Sequence, residues 1–406
     1  MRPSGSARAF LLAALLAVVG AAPASAETFL VIPFSNGAGA SDLDWVGESF
    51  AESLAENLQA GGRTAVAREE RLAALERLGL PAGGPLTHAS VLRLGEEVGA
   101  DWVVLGRYEV AGGRIHSRAQ LLDLAALSLS TPIEDQEAFE RLVDVQARLA
   151  WRILRQLDPR FPLSLVSFQQ QRPSVSVSAF ESYVRGLLAA DREQQLRYFV
   201  QAARLEPAYA PPAFRLAMLY YLDGDYTAAA RWFGQASVDS KLGAEAGFYL
   251  GLCYFATGEL PRAAESLLKV SATAPSAGLW NNLGIVASRQ RDAAAETYFA
   301  RALQAEPQDA RIHFNLGLHY LRRDEWELAL RSLQRALTLD ARDTEAHYLR
   351  AHALRRLGRM EEAERARQQA IGDNPALALS LDRRMLELDR LQMEFQPFPD
   401  RDEARR

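Results

Sequence analysis

Between residues 210 and 375 the chain repeats itself about every 34 residues, and this period constrains its fold more than any other feature. One marker is a leucine followed by a small residue, at Leu216, Leu250, Leu283 and Leu316, with steps of 34, 33 and 33 residues. A second marker is an alanine, which recurs at Ala229, Ala263, Ala295, Ala329 and Ala363. Two independent markers with one period predict an array of similar supersecondary units.

The residue types at the markers predict that each unit is a pair of closely packed helices. Gly251, Gly284 and Gly317 remove side-chain bulk from the first helix of their units, and the alanines do the same from the second. A large apolar residue follows each alanine by four positions, as Phe299 follows Ala295. One pair cannot bury its apolar face alone, so we expect the units to stack into a solenoid.

These markers resemble the tetratricopeptide repeat, a helix–turn–helix unit of 34 residues. The best unit has the family pattern at Trp280, Leu283, Gly284, Ala295, Phe299 and Pro307. The resemblance covers residues 179–375, with one degenerate repeat followed by five clearer ones. It implies a concave groove, lined by the first helix of each unit, that binds protein or peptide partners.

By this resemblance, the groove residues run from an aromatic and aliphatic end to an arginine-rich end. The candidates are Phe214, Met218, Tyr221, Phe248, Phe255, Asn281, Asn282, Arg289, Arg311, Asn315, Arg322, Tyr348, Arg355 and Arg356. Because arginine offers two parallel donors to a carboxylate, we expect an extended or helical peptide with apolar anchors and an acidic end. The alternative for the apolar candidates is ordinary packing between repeats.

Residues 1–26 have the pattern of a cleavable export signal. Arg2 and Arg8 flank the start of an apolar run over residues 10–19, and Ala24-Ser25-Ala26 forms a small-residue cleavage site. The apolar run is too short for a membrane-spanning helix of about 20 residues. We therefore expect a mature chain that begins at Glu27 and resides in a bacterial periplasm or is secreted.

Residues 27–158 predict a small α/β domain. Residues 28–34 are β-branched and aromatic, as in a buried strand, and residues 101–110 and 114–124 form a hairpin that turns at Gly112-Gly113. Shorter strands are expected at 64–67 and 127–131. Apolar periodicity predicts helices at 42–59, 69–78, 89–98 and 137–157.

Three segments of this region, residues 31–36, 99–106 and 118–123, resemble the TolB amino-terminal-like domain. That resemblance implies an interaction module of the bacterial envelope and not a catalytic domain. The predicted fold class is therefore α+β with two domains, a mixed-sheet domain followed by an all-α solenoid.

The segments outside the two domains have weaker signals. Residues 159–178 contain three prolines and a glutamine run, which favour a linker, although the Ser/Val alternation at 174–177 is also compatible with an edge strand. Residues 376–394 predict a capping helix. Residues 395–406 are expected to be disordered.

No pattern in the chain predicts catalysis, a metal or a cofactor. The Gly37–Ser41 loop lacks the Lys-Ser/Thr of a phosphate-binding loop, and Ser41 or Asp42 is expected to cap the next helix. The histidines at 313, 319, 347 and 352 lack the spacing of three or four that places ligands on one helix face. Cys253, the single cysteine, is expected to be a buried structural thiol.

The favoured function is a non-enzymatic interaction scaffold. A formal net charge of −5 gives no field that would attract nucleic acid. Two alternatives stay open at this point: a sensor or enzyme-accessory subunit with a small-molecule site near residues 37–42, and a structural role in self-assembly. The sequence leaves the oligomeric state and the partner undefined.

Overall fold

The computed structural model describes residues 27–39, 41–83, 86–171, 175–239, 241–372 and 374–396. The predicted export signal and residues 397–406 lie outside this described part. The chain divides into two compact units, Met1–Arg172 and Pro173–Arg406. Within the described residues, no helix combines the length and apolar character that a membrane span requires.

The first unit is built on a mixed sheet. Its strands are β1 (Thr28–Val31), β2 (Ser35–Asn36), β3 (Thr64–Ala65), β4 (Trp102–Ala111), β5 (Arg114–Asp123), β6 (Ser128–Leu129) and β7 (Ile133–Ala138). The order is β3-β1-β4-β5-β6, with β2 paired to β4 and β7 paired to β5. β1 is parallel to both neighbours, whereas β4 and β5 form the predicted hairpin. Gly112 and Gly113 turn that hairpin with φ of 57° and 71°, a conformation that disfavours other residues.

Helices cover both faces of this sheet. They are α1 (Trp45–Ala60), α2 (Arg68–Arg77), α3 (His88–Glu97), α4 (Leu142–Leu157) and α5 (Leu165–Gln170). Leu75 of α2 and Leu94 of α3 pack with Leu30 and Val103 of the sheet. Phe50 of α1 stacks on Phe34, with ring centroids 4.4 Å apart.

The predicted helix over residues 137–157 and the predicted linker over residues 159–178 differ from the structure. The helix expected over residues 137–157 begins only at Leu142, because residues 133–138 pair with β5 as an additional edge strand. The polar sequence of β7 suits an edge, which is why periodicity did not reveal it. Part of the expected linker is the helix α5, whose Phe168 is buried against Phe161. Residues 175–176 form no strand, and Val177 begins the next helix.

The second unit contains six helical hairpins in its described residues. Their helices are α6 (Val177–Leu188), α7 (Arg192–Leu205), α8 (Ala210–Leu222), α9 (Tyr226–Ala236), α10 (Gly243–Ala256), α11 (Leu260–Ser271), α12 (Ala277–Gln290), α13 (Ala295–Ala305), α14 (Ala310–Arg322), α15 (Trp326–Leu339), α16 (Thr344–Arg356) and α17 (Met360–Ile371). Each even-numbered helix is the first of its hairpin. This is the mostly helical solenoid that the repeat period predicts.

The C-terminal region departs from the expected capping helix over residues 376–394. The helix α18 (Pro375–Arg384) ends after ten residues, and a 3-10 turn, Met385–Glu387, follows it. Residues 388–396, here named the C-terminal segment, have no helical or sheet assignment. If these residues continued the helix, they could not reach the hydrogen-bonding partners described below, because those partners are spread over several repeats.

Candidate functional site

The C-terminal segment lies across the first helices of four consecutive hairpins. Phe395 lies beside Phe248 of α10, with ring centroids 5.7 Å apart. Gln392 binds Asn282 of α12, and Arg390 binds Asn315 of α14. The Arg390 side chain also reaches Asp343, the N-cap residue of α16. The segment therefore runs against the order of the repeats, and the first helices form the surface that receives it.

Two asparagines bind the backbone of the segment by the same geometry. The Asn315 Oδ1 atom accepts from the Arg390 N–H, and Asn315 Nδ2 donates to the Arg390 carbonyl, both at 2.9 Å. Asn282 makes the same pair with Gln392, both at 2.8 Å. Asn281 adds a bond to the Arg390 carbonyl at 3.0 Å. These contacts satisfy backbone groups, so they recognise an extended chain whatever its side chains are.

The repeat period sets the register of this recognition. Asn282 and Asn315 each precede a marker leucine, so they occupy equivalent places in successive repeats. They bind residues two apart, and in an extended chain alternate residues face the same side at intervals of roughly 6.6 Å. Tyr249 and Tyr348 occupy the same place in the flanking repeats. Tyr249 contacts the backbone of Phe395, and Tyr348 donates to Asp382 of α18.

The arginine-rich end of the groove holds a carboxylate. Asp389 Oδ2 accepts from Arg289 Nε at 2.7 Å and from Arg322 Nη2 at 2.7 Å. The Asp389 side chain is only 3% exposed. Arg322 also donates to the Leu386 carbonyl and to Ser288, while Arg289 lies over the Phe255 ring. A buried carboxylate between two guanidinium groups is a specific charge match, because either partner alone would be costly to bury.

The next residue of the segment has the opposite charge and meets acidic residues. The Arg390 guanidinium pairs with Asp343 at 2.5 and 2.7 Å and with Glu345 at 3.0 Å. It also lies 3.4 Å from the centroid of the Phe314 ring, as in a cation–π contact. Burial is the largest single effect and opposes ionisation of Asp343, but the hydrogen bond and charge of Arg390, together with the N–H groups of Ala346 and Glu345, hold the pKa of Asp343 below its usual value.

The remaining contacts are polar at Gln392 and apolar beyond it. Arg311 Nη1 donates to Gln392 Oε1 at 2.8 Å. A Cβ atom at Gly278 would lie 2.6 Å from Gln392 Cγ, so glycine leaves the space that this side chain occupies. Leu391 and Phe395 pack on the apolar cluster around Phe248. The aromatic end of the groove therefore holds an aromatic residue.

Half of the sequence-predicted groove residues contact the C-terminal segment directly: Phe248, Asn281, Asn282, Arg289, Arg311, Asn315 and Arg322. Phe255 contacts Arg289 through a cation–π interaction. Phe214 and Tyr221 instead pack edge-on against Phe233 between helices, and Met218 joins the same cluster. The two ring contacts lie within the α8–α9 hairpin, so these side chains take part in packing between helices.

The last predicted groove residues lie near the C-terminal repeat. Tyr348 is covered by α18 through its bond to Asp382. Arg356 stacks on Trp326 at 4.7 Å, and Arg355 is exposed. Sequence reasoning missed Gly278, Asp343 and Glu345. It also assigned residue 395 to a disordered tail, although Phe395 packs on the solenoid; the apolar residues Leu388, Leu391 and Phe395 were the available signal.

The alternative loop site at residues 37–42 has acidic surroundings. The Asn36 side chain donates to Asp44 at 3.1 Å, and the Glu109 side chain fills the space beside Gly37. Asp44, and not Ser41 or Asp42, is the N-cap residue of α1. Carboxylates at this position disfavour a phosphate, since like charges repel.

The histidines described below and the cysteine contact neighbouring residues of the repeats. His313 and His347 each contact a backbone carbonyl six residues earlier, both at 3.0 Å. His319 is buried against Ser288, and burial lowers its pKa. The described residues contain no group of three or more side chains placed to hold a metal ion. Cys253 is buried, as expected, and desolvation raises its pKa to about 12.

Comparisons with known proteins place the repeats in a family. The tetratricopeptide-repeat profile matches residues 214–278, and the profile of subunit 3 of the anaphase-promoting complex (cyclosome) matches residues 288–370. A curated relative, the BBSome complex member BBS4 of Xenopus tropicalis, is 34% identical over 101 residues, which are 25% of this chain and 20% of that protein. The chain thus spans about a fifth of this relative.

Two solved structures are similar to part of this chain. The TPR protein YrrB, described as having an unusual peptide-binding site, is 20% identical, with a TM-score of 0.38, over 48% of this chain and 100% of its own. The MamA protein is 19% identical, with a TM-score of 0.37, over 45% of this chain and 97% of its own.

Proposed function

Because this chain is a tetratricopeptide-repeat protein, we propose that it is a non-enzymatic scaffold that binds a partner polypeptide in the groove of its first helices. The observation that carries the proposal is the pair of buried asparagines, Asn282 and Asn315. Each satisfies both backbone groups of one residue in an extended chain. A surface that only packed helices would not present amides in equivalent places of successive repeats to the backbone of another segment.

The groove also supplies the means for selecting side chains. Arg289 and Arg322 provide two guanidinium groups for one carboxylate, and the cluster around Phe248 provides an apolar site farther along. Backbone contacts give affinity in such strand-like recognition, and pockets for side chains give specificity. The partner we propose is therefore an unstructured or extended stretch of another protein.

A selection from a library of extended peptides tests this function. The full chain from Glu27 would be immobilised and panned with a random peptide library, and the recovered peptides would be retested on an Asn282→Ala/Asn315→Ala variant. We expect the recovered peptides to lose at least tenfold in affinity on this variant, because two backbone residues lose their amide partners. Circular dichroism would confirm that the variant keeps its helical content.

The matched control changes two amides on second helices, Gln304→Ala and Gln334→Ala, both of which are exposed. Peptides bound in the groove should retain their affinity for this control. Recovery of no peptide, or of peptides that bind both variants equally, would contradict the proposed function.

The location belongs to the same proposal. We place the protein in the bacterial envelope, as an exported chain, on the basis of the basic, apolar and small-residue order of residues 1–26. Mass spectrometry of the protein from a periplasmic extract should give a chain that begins at Glu27. A chain that retains Met1 or Arg2 in the soluble cell interior would contradict it.

The first unit is proposed to act as an adaptor, as its likeness to the TolB amino-terminal domain implies. In its sheet β1 pairs with β4 in parallel, and β4 and β5 form a hairpin. In this arrangement the solenoid binds one polypeptide while the first unit contacts another.

A further inference from the structure

We infer that the C-terminal segment is a built-in competitor for the groove, and that the partner it competes with has the pattern Asp-Arg-Leu-Gln-x-x-Phe or a close variant of it. This inference rests on the proposed function and adds the chemistry of the ligand and its regulation. The occupant in question is part of this chain, residues 388–396.

The first argument is the order of charges. Read in the direction of the segment, the groove presents the Arg289–Arg322 pair, then the acidic pair Asp343 and Glu345, and the segment offers Asp389 and then Arg390. Each charge meets its opposite at hydrogen-bonding distance. If the acidic and the basic residue of the segment exchanged places, each would meet side chains of its own charge, which is costly in a buried site. The groove is therefore selective for an acid followed directly by a base.

The second argument is the polar and apolar contacts that follow. Gln392 accepts from Arg311 and fits over Gly278, where any other residue would project a Cβ into its side chain. Phe395 contacts Phe248. By contrast, Met393 and Glu394 are exposed, so their identities are not read by the groove. Met393 and Glu394 are therefore the two unspecified positions of the pattern.

The third argument is that the segment is held in a way that permits release. Its backbone bonds go to asparagine side chains and not to a sheet ladder, and it follows the short helix α18 at the end of the described chain. Leu388 is buried with Leu381 of α18, so the residues after 388 can be released while α18 stays in place. An intramolecular occupant on a short connection acts at an effective concentration in the millimolar range. A partner with the same pattern must overcome that occupancy, which lowers its apparent affinity.

A fluorescent peptide with the sequence of residues 386–396 would measure the competition. It would be titrated into the full chain and into an Asp389→Lys variant, in which Arg289 and Arg322 repel the altered segment but the groove itself is unchanged. We expect the dissociation constant of the probe to be at least tenfold lower on Asp389→Lys than on the unaltered chain. The matched control is Glu387→Lys, the same charge reversal at an exposed residue just before the segment.

Amide exchange gives a second measurement on the unaltered chain. The N–H groups of Arg390 and Gln392 should be protected, and an excess of the probe should remove that protection. A probe that binds all three proteins with the same dissociation constant, or that binds none of them, would overturn the inference. Protection that disappears on dilution would also overturn it, since the occupant would then be the segment of a second copy.

These experiments distinguish failure of the competitor inference from failure of the proposed scaffold function. If library selection recovers peptides that depend on Asn282 and Asn315 but lack the pattern, and Asp389→Lys does not affect them, the scaffold function stands and the competitor is excluded. If the probe binds nothing and no library peptide depends on these asparagines, the groove is permanently part of the fold and both proposals are wrong.

Discussion

At the scale of single residues, small side chains set the distance between the two helices of each hairpin. A Cβ atom at Gly251 would lie 2.6 Å from Leu267, one at Gly284 would lie 2.7 Å from Phe299, and one at Gly317 would lie 2.7 Å from Leu333. These are the marker glycines and the large residues that follow the marker alanines. The period of the sequence therefore reflects one steric contact that recurs in successive hairpins.

Replacing Gly284 by Leu tests that contact. The added side chain must displace the fully buried ring of Phe299, and overpacking of a well-filled core typically costs about 1–3 kcal/mol. Chemical denaturation should show this loss of unfolding free energy. As a control, the change Gly234→Leu adds the same bulk where nothing lies within 4 Å. Equal stability of the two variants would contradict the packing account.

A second residue-scale prediction concerns Glu52 of α1. Burial, and then the nearby Glu48 and Glu56, raise its pKa from 4.5 to about 7. Because the folded state holds this proton more tightly than the unfolded state, its contribution to stability is complete below about pH 4.5 and is lost as the pH rises through 7. Above pH 7 the fold must accommodate an ionised group in a poorly solvated place.

The change Glu52→Gln should remove this pH dependence. We expect the variant to gain about 1–3 kcal/mol over the unaltered chain between pH 5 and pH 8, measured by amide exchange in α1. The control Glu76→Gln alters an exposed carboxyl of α2 and should show no such gain. A gain that shrinks as the pH rises would have the wrong sign and would exclude this cause.

At the scale of elements, the C-terminal segment shows that a stretch of chain without regular structure can be as specifically placed as a helix. Its backbone groups bind the side chains of Asn281, Asn282 and Asn315, so it does not need a neighbouring strand. The helix α18 ends early because the groups that satisfy the following residues lie along the groove. An element boundary is decided here by partners that are about a hundred residues away in sequence.

Arg289, Arg322 and Arg355 occupy equivalent places in three successive repeats, so they can distinguish the effect of direct contact with the segment from the effect of net charge. Arg289 and Arg322 both bind Asp389, whereas Arg355, at the equivalent place in the next repeat, is exposed. The double change Arg289→Ala/Arg322→Ala should speed amide exchange at Arg390 and Gln392 at least tenfold, because the carboxylate loses both of its partners. Arg355→Ala should leave the exchange unchanged, and faster exchange in that variant would mean that net charge and not contact holds the segment.

At the scale of the molecule, a solenoid is a chain of neighbours in which each repeat contacts only the next. The C-terminal segment adds contacts that join α10 to α16, which belong to hairpins that are not adjacent. We therefore expect it to couple the stability of four repeats. Release of the segment should make the solenoid unfold less cooperatively even where the repeats stay intact.

Urea unfolding of the Asp389→Lys variant would measure this coupling. We expect a lower denaturant dependence of the unfolding free energy than in the unaltered chain, since less surface is exposed in one cooperative step. Glu387→Lys should keep the original value. A variant with a lower midpoint but an unchanged slope would show that the segment adds stability without coupling the repeats.

The sequence predicted the repeats well because each one depends on local contacts. The spacing of Leu283, Gly284 and Phe299 is enough to define two helices and their distance, and the hairpin at Gly112-Gly113 is equally local. The edge strand β7 and the helix α5 were not predicted, because their sequences lack a clear periodicity. Of the groove, the asparagines and arginines were identified by their repeat positions, but Asp343 and Glu345 were not, since they act only through Arg390.

The sequence by itself determined the solenoid and its period, because both follow from residues close together in the chain. Only the tertiary structure decided that residues 388–396 occupy the groove. That placement depends on contacts such as Gln392 with Asn282, which are separated by 110 residues, and no local pattern encodes a match of charge and shape between segments so far apart.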